Sequence, residues 1–299
     1  MERFFVPYQA VSQLPARCVA VLAPHADDEV FGCGGALAGF VAQGVPVHVA
    51  IVTDENTGEG AGDTVAVRHA ESLAAAAILG YGTPQFWGLP DGGLRDAADL
   101  AQKIGAWLTH TGADLVLVSA FTEMHRDHRA LAEAAIAAVL EGGRNDLRVA
   151  FYEVGQPLLP NTLLDITPYR DTKARAMACF ASQIRRQRYD MQIDALNRYR
   201  TYTLPSHVQA AEAYLVLSPA ELKAYGLERD PADLSRTLQR ADAEVQQALQ
   251  EARTQRDAHQ AAQARLDAVL ASTSWRVTQP LRCAARLLRR VLQSLSGLR

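Results

Sequence analysis

Two short stretches concentrate the chemistry of this chain. Pro24-His25-Ala26-Asp27-Asp28-Glu29 sets a His ahead of consecutive acids, and Met124-His125-Arg126-Asp127-His128-Arg129 sets a His on either side of an Asp. Ionisable groups crowded in this way repel one another unless a cation neutralises them. His25 and Asp28, with Asp27 between them, offer two ligands and one free base to a Zn²⁺ ion. A zinc site that performs hydrolysis needs three protein ligands and an open position for water, and a His from the second stretch can supply the third.

The flanking residues show how the two stretches could meet. The first follows an apolar run, Cys18-Val19-Ala20-Val21-Leu22-Ala23, and precedes a Gly-rich turn and a helical segment at 36–42. The second follows Leu115-Val116-Leu117-Val118-Ser119-Ala120 and leads into a helical pattern at 130–140. Both therefore sit at the carboxyl ends of buried strands, where open α/β sheets bind their ligands. Strands are expected at 18–23, 45–52, 84–89, 115–120 and 149–154, and helices near 30–43, 65–79, 95–110 and 129–141. This alternation predicts a Rossmann-like α/β fold, a mainly parallel sheet with helices on both faces. Residues 163–167 add a further strand, 168–182 a helix, and 185–202 a helix followed by a loop. The Gly-rich turn is not a dinucleotide fingerprint: Leu37 stands where the third Gly would be required, and the acids before it would repel a pyrophosphate.

The paired motifs, His-x-Asp-Asp-Glu and His-x-Asp-His, resemble those of the PIG-L/LmbE family of zinc-dependent de-N-acetylases, which remove acetyl groups from N-acetylated amino sugars. Gly32-Cys33-Gly34-Gly35, Arg68-His69-Ala70-Glu71 and Leu89-Pro90-Asp91-Gly92-Gly93-Leu94 add to the likeness. The resemblance implies that His25, Asp28 and His128 bind Zn²⁺, a set that iron can also occupy. It implies that Asp27 is the general base, and that His125 stabilises the oxyanion and protonates the leaving amine, with Asp127 holding its imidazolium and raising its pKa. Arg68 and Asp91 match positions that contact sugar hydroxyls, and Glu212 in Ala211-Glu212-Ala213-Tyr214 resembles a late family motif. Ala26 and Arg126 replace the commoner Pro of the two motifs. Glu123 stands two before His125, where the mycothiol branch has a Tyr, so a substrate does not carry over from that branch.

Plainer readings stand beside these. Asp27-Asp28-Glu29 suits any helix N-terminus. Arg68 could form a surface ion pair, Asp91 could serve a turn, and His48, His69, His110 and His207 read as structural or solvent-facing.

With 299 residues, 48% hydrophobic and 21% charged, the chain is globular, and a net charge of −3 gives no pull toward nucleic acid. Four cysteines standing far apart predict neither a disulfide framework nor a Cys-rich zinc site, and suit a reducing cytoplasm. No signal peptide or membrane-spanning run is visible. The expected divisions are a zinc deacetylase domain at 1–220, a helical segment at 221–272 and a basic amphipathic tail at 273–299. Leu234, Leu238, Ala241, Val245, Ala248, Ala252, Ala262, Leu266 and Val269 follow a coiled-coil repeat that Gln255 and His259 interrupt. Residues 233–270 could thus pair with a second copy or a partner protein, or form a helix packed back on the catalytic domain. The tail, with six arginines and no acids over 273–299, could rest over 276–299 on an anionic membrane at the inner face of the cell membrane, or dock on an acidic protein. Residues 272–282 resemble a tail found on glycosyltransferases of bacterial polysaccharide assembly.

The expected activity is metal-dependent removal of acetate from an amino sugar carried on a nucleotide, a lipid or a glycan. The alternatives are a non-catalytic scaffold recruiting a glycan-assembly complex, and a zinc amidase of a thiol or antibiotic pathway.

Overall fold

The computed structural model describes residues 6–54, 61–225, 231–278 and 280, without the side chains of 61–63, 231–246, 274 and 276. By contacts the chain forms two units, residues 1–228 and 229–299.

The first unit is an α/β sandwich around an eight-stranded sheet. A short strand β1 (Ala10–Val11) precedes the alternation of β2 (Val19–Ala23), α1 (Asp28–Ala42), β3 (Val47–Asp54), α2 (Ala61–Leu79), β4 (Gln85–Pro90), α3 (Leu100–Thr111), β5 (Leu115–Ser119), α4 (Arg126–Glu141) and β6 (Arg148–Tyr152). Strand β7 (Thr162–Asp165), helices α5 (Arg170–Met177), α6 (Ala181–Ile184) and α7 (Tyr189–Tyr199), strand β8 (Ala211–Leu217) and helix α8 (Pro219–Ala224) complete it. The order across the sheet is β1-β7-β8-β6-β5-β2-β3-β4, and every pairing is parallel except those of β8 with β6 and β7. The fold class expected from the alternation is the one found.

Strands β2 and β5 are buried along their whole length because helices cover both faces, which is why they read as unbroken apolar runs. Side chains alternate between two cores. Val19, Val21 and Ala23 pack with Phe31 and Leu37 of α1 and Leu79 of α2, whereas Ala20 and Leu22 pack with Ile104 of α3 and Leu131 of α4. The chain runs outward from β2 through β3 to β4 on one side, and from β5 to β6 on the other. The adjoining β2 and β5 therefore mark the point where strand order reverses, and their carboxyl ends open the crevice that holds the two motifs.

The Gly-rich stretch expected to be a turn lies inside α1. Close packing explains it: a Cβ on Gly32 would come 2.2 Å from the Tyr152 ring, and one on Gly35 would come 2.6 Å from Ile166. Helix α1 is kinked at Cys33 (φ −135°, ψ 20°), and the Glu212 carboxylate accepts the Gly35 and Ala36 amides just after the kink, at 2.7 and 2.9 Å. The helix expected over 168–182 is broken between α5 and α6, where Phe180 turns fully into the core and packs 5.7 Å from the Phe31 ring. The segment expected to begin a helix at 185 does so only at Tyr189. Strand β8 was not expected at all.

In the second unit, α9 (Pro231–Ala271) is one continuous helix followed by a short α10 (Thr273–Val277). Leu249, Leu266, Val269 and Leu270 are exposed on α9. The side chains of Leu234, Leu238, Ala241 and Val245 in the expected repeat, and residues 281–299 of the tail, lie outside the described residues. No described helix is long and apolar enough to cross a membrane.

Candidate metal centre

The first motif hangs from the end of β2. Thr53, on the neighbouring β3, donates both its amide (2.9 Å) and its hydroxyl (2.7 Å) to the Pro24 carbonyl, which fixes where the loop leaves the sheet. Asp27 then takes φ 129°, a backbone conformation that favours glycine, and so stores local strain. The Val30 and Phe31 amides donate to the Asp27 carbonyl at 2.9 Å, starting α1 with Asp28 in its first turn. The second motif starts α4. His125 is the N-cap, its Nδ1 accepting the Asp127 amide at 3.2 Å.

His25, Asp27, Asp28, Arg68, Asp91, His125 and His128 all line one pocket of about 340 Å³, together with Phe31, Gln183, Arg186 and Tyr189. Asp127 lies beneath it, fully buried. The His25 and His125 rings are 4.7 Å apart, centre to centre, and the His125 and His128 rings 5.1 Å. Asp28 Oδ2 stands 3.2 Å from His25 Nδ1 and 3.2 Å from His128 Nε2. On the far edge of His25, Asp91 Oδ1 is 3.0 Å and Asp127 Oδ2 3.6 Å from Nε2.

This arrangement calls for positive charge. Burial works to lower the His25 pKa, yet Asp127, Asp28 and Asp91 together push it up to about 12. Asp28 is held far below the usual carboxylate range despite its burial, by His128 and His25. His25 holds Asp91 down to about 2 against its own partial burial. Asp27 goes the other way: burial pushes it up to about 7, while Arg68, with Nη2 3.3 Å from Asp27 Oδ2, pulls it down.

A divalent cation fits these donors. A tetrahedral ion with bonds of about 2.0–2.1 Å separates its ligand atoms by roughly 3.3 Å, close to the two 3.2 Å separations at Asp28 Oδ2. Two overlapping trios also bring their donor atoms within 4.8 Å, His25 with His125 and His128, and His25 with Asp91 and Asp127. His25 stands in both trios and His128 in one, and Asp28 Oδ2 meets both rings while also accepting the His25 amide at 2.9 Å. His125 Nδ1 is engaged by the Asp127 amide, and the Asp127 carboxylate by the Gly92 and Leu94 amides at 2.5 and 3.3 Å.

Two expectations need correction. The Asp127 carboxylate does not hold the His125 imidazolium, because it faces the 92–94 turn and His25; only its backbone amide meets His125. His125 is lowered in pKa overall, because burial and the neighbouring His25 and His128 outweigh the raising effect of the Asp127 and Asp28 charges. Glu212 does not reach the pocket. It is buried against the backbone of α1 and accepts from Lys173 Nζ at 2.7 Å and from the Tyr214 hydroxyl at 2.6 Å.

Sequence reasoning missed the pocket wall of Phe31, Gln183, Arg186 and Tyr189, which only tertiary packing assembles. It also missed the pair formed by His69 Nε2 and Asp54 Oδ1 at 2.8 Å, with His69 stacked 3.7 Å over Phe86. Glu123 was legible only as a departure beside His125.

Residues 20–139 match the PIG-L family, described as GlcNAc-PI de-N-acetylase. The structure of the conserved protein TT1542 from Thermus thermophilus is 30% identical in sequence, with a TM-score of 0.59 covering 66% of this chain and 93% of that one. The chain belongs to the PIG-L family. A second solved structure of similar fold is the N,N'-diacetylchitobiose deacetylase from Pyrococcus horikoshii, 23% identical, with a TM-score of 0.59 covering 69% of this PIG-L chain and 85% of that chain. This chain is also 28% identical in sequence over 194 residues to the 4-oxalmesaconate hydratase of Pseudomonas putida, spanning 56% of this chain and 75% of that protein. By sequence the chain thus joins a de-N-acetylase family and a hydratase, and the chitobiose deacetylase adds likeness of fold alone.

Proposed function

We propose that this PIG-L chain is a metal-dependent N-deacetylase that hydrolyses an N-acetylated amino sugar to acetate and the free amine. One observation carries the reading: Asp27, a carboxylate pushed up to about 7 by burial, stands beside the donor set of His25, Asp28 and His128 in an open pocket. Those three residues would hold the ion. When bound, zinc polarises an amide carbonyl and makes water acidic enough to lose a proton near neutral pH.

Asp27 would take a proton from the water that attacks the acetyl carbonyl. A base with a pKa near the working pH is both ionised and strong enough for the task. Arg68 fixes Asp27 by ion pairing and by donating to the Ala26 carbonyl. His125 faces the pocket from the opposite motif. Because its Nδ1 accepts the Asp127 amide, a neutral ring carries its proton on Nε2 and donates from there a hydrogen bond to the developing oxyanion, while Asp27 passes the proton it has taken on to the departing nitrogen. The amine must leave protonated, because an amide anion is a poor leaving group. Asp91 and Arg68 serve as the polar contacts to the sugar, and Phe31 and Tyr189 as its apolar wall.

The test is acetate release from free, nucleotide-linked and lipid-linked N-acetylglucosamine by zinc-loaded enzyme beside Asp27→Ala. Release that disappears in the variant supports the reading. A zinc-loaded protein that releases nothing overturns it for these sugars.

A second reading, hydration of a carbon–carbon double bond, is favoured by the identity to the hydratase over 75% of that protein. Consumption of 4-oxalmesaconate by the same preparation would establish it in place of deacetylation.

We also propose that residues 1–220 carry the activity in a cytoplasmic enzyme. Residues 233–270 would attach it to a second copy or a partner, and 276–299 to an anionic membrane surface. A chain truncated after 228, which keeps α8 and the buried Leu222 of the first unit, should keep turnover of a soluble substrate and lose co-sedimentation with anionic vesicles.

A further inference from the structure

Among the described residues, buried side-chain atoms without a hydrogen-bond partner are few, and two of them face each other: Glu123 Oε2 and His128 Nδ1, 3.8 Å apart. Buried polar atoms are nearly always satisfied, so an opposed donor and acceptor standing just out of reach call for an explanation.

Glu123 is almost completely buried, and its carboxylate is aimed rather than free. Its Oε1 accepts three successive backbone amides, from Val154 at 2.8 Å, Gly155 at 2.9 Å and Gln156 at 3.2 Å. Those three donors leave only Oε2 to face His128. The absence of a side chain at position 155 makes the room, since a Cβ on Gly155 would come 3.0 Å from Oε2. The backbone on either side is pinned as well. Arg129 Nη1 donates to the carbonyls of Glu123 and Met124 at 2.6 and 2.7 Å, and the Ser119 hydroxyl donates to the His128 carbonyl at 3.2 Å.

From this geometry we infer that Glu123 is a positioning residue: its Oε2 accepts the Nδ1 proton of His128 and thereby keeps Nε2 bare toward Asp28. A small ring rotation closes 3.8 Å to hydrogen-bond length. The consequence is a choice of tautomer. With the proton on Nδ1, the Nε2 lone pair points at the space shared by Asp28 and His25, as a cation ligand requires. The inference deepens the proposed metal site and rests on His128 being one of its ligands.

The isosteric Glu123→Gln separates this role from a structural one. The three backbone amides require an acceptor, so the Gln carbonyl takes the Oε1 position and its NH₂ is left facing His128. Nδ1 must then accept, the proton moves to Nε2, and the ring can no longer ligate. The fold keeps its three backbone bonds.

The experiment uses the full chain with ¹⁵N-labelled histidine. The His128 tautomer is read from two-bond nitrogen–proton correlations, and zinc affinity from competition with a chelator. Wild type should show the His128 proton on Nδ1. Glu123→Gln should show it on Nε2, with zinc bound about 10- to 100-fold more weakly. Gly155→Ala leaves Glu123 in place but pushes a methyl group against Oε2, and should weaken zinc in the same direction. It also serves if Glu123→Gln does not fold. A wild-type tautomer and wild-type zinc affinity in Glu123→Gln, or in Gly155→Ala where that variant stands in, would overturn the inference. A tautomer that switches in a protein binding no zinc even as wild type would uphold the pairing and instead remove the metal site.

Discussion

Arg68 Nη2 lies 3.3 Å from Asp27 Oδ2 and also donates to the Ala26 carbonyl, so one guanidinium holds both the backbone and the carboxylate of the expected base. Burial raises Asp27 to about 7 and Arg68 restrains the rise. Activity requires the ionised form, so the rate should grow as pH rises through that value. Removing Arg68 takes away a pull toward the carboxylate, and the pKa goes higher still. In Arg68→Ala the acidic limb of kcat/KM should move to higher pH, with a greater loss at pH 6 than at pH 9. Arg68→Lys should keep the limb near its original place. An unmoved limb in Arg68→Ala would mean that another group limits the rate.

Asp27 also carries the backbone strain of φ 129°. Such conformations cost about 1–3 kcal/mol in residues other than glycine. Asp27→Gly should therefore melt a few degrees above Asp27→Ala while both lack activity. Thermal unfolding of the two variants side by side decides it: equal midpoints would show that the loop stores no strain.

In the proposed site zinc would displace the proton that His25 holds. Asp127, Asp28 and Asp91 outweigh burial and keep that proton on the ring up to about pH 12 in the cation-free protein. Metal uptake should consequently release protons, and apparent zinc affinity should fall about tenfold per unit drop in pH for each proton displaced. Titration calorimetry in two buffers of different ionisation enthalpy counts them. Zinc uptake with no proton release would rule out His25 as a ligand.

Glu212 and Lys173 form a buried ion pair outside the pocket, at 2.7 Å, with Asn197 accepting a further bond from Lys173 at 3.0 Å. Removing one partner strands the other's charge, at a cost of about 3–5 kcal/mol. Lys173→Met should lower the urea midpoint steeply. Glu212→Gln should do so as well while leaving the KM of the folded fraction unchanged. A raised KM at full stability would instead place Glu212 at the substrate site.

The parts legible in the sequence were those written locally. Val19–Ala23 is apolar from end to end and Leu115–Ser119 is apolar up to its last residue because both faces of each are covered, and the motifs bearing His25, Asp28 and His128 come after such runs. Other features depend on residues distant in the chain. Gly32 and Gly35 read as a turn, since the Tyr152 and Ile166 side chains that require their smallness lie far along the sequence. Asp127 looked like a partner for His125 only two positions away, but the Gly92 and Leu94 amides claim its carboxylate. Strand β8 carries an apolar run, Tyr214-Leu215-Val216-Leu217, yet nothing local reveals that it enters the sheet antiparallel between β6 and β7.

The bond from the Gly35 amide to Glu212 spans 177 residues and has a consequence for the order of events during synthesis. Every residue of the proposed ion-binding set has been made by position 128, but the helix that presents Asp28 is fastened beyond its kink by a carboxylate on β8. A nascent chain emerging from the ribosome therefore carries the complete set well before it can seat it. The pocket closes into shape only when nearly all of the first unit is out, which leaves a long interval in which the young chain offers its histidines and acids to any passing metal without a fixed geometry.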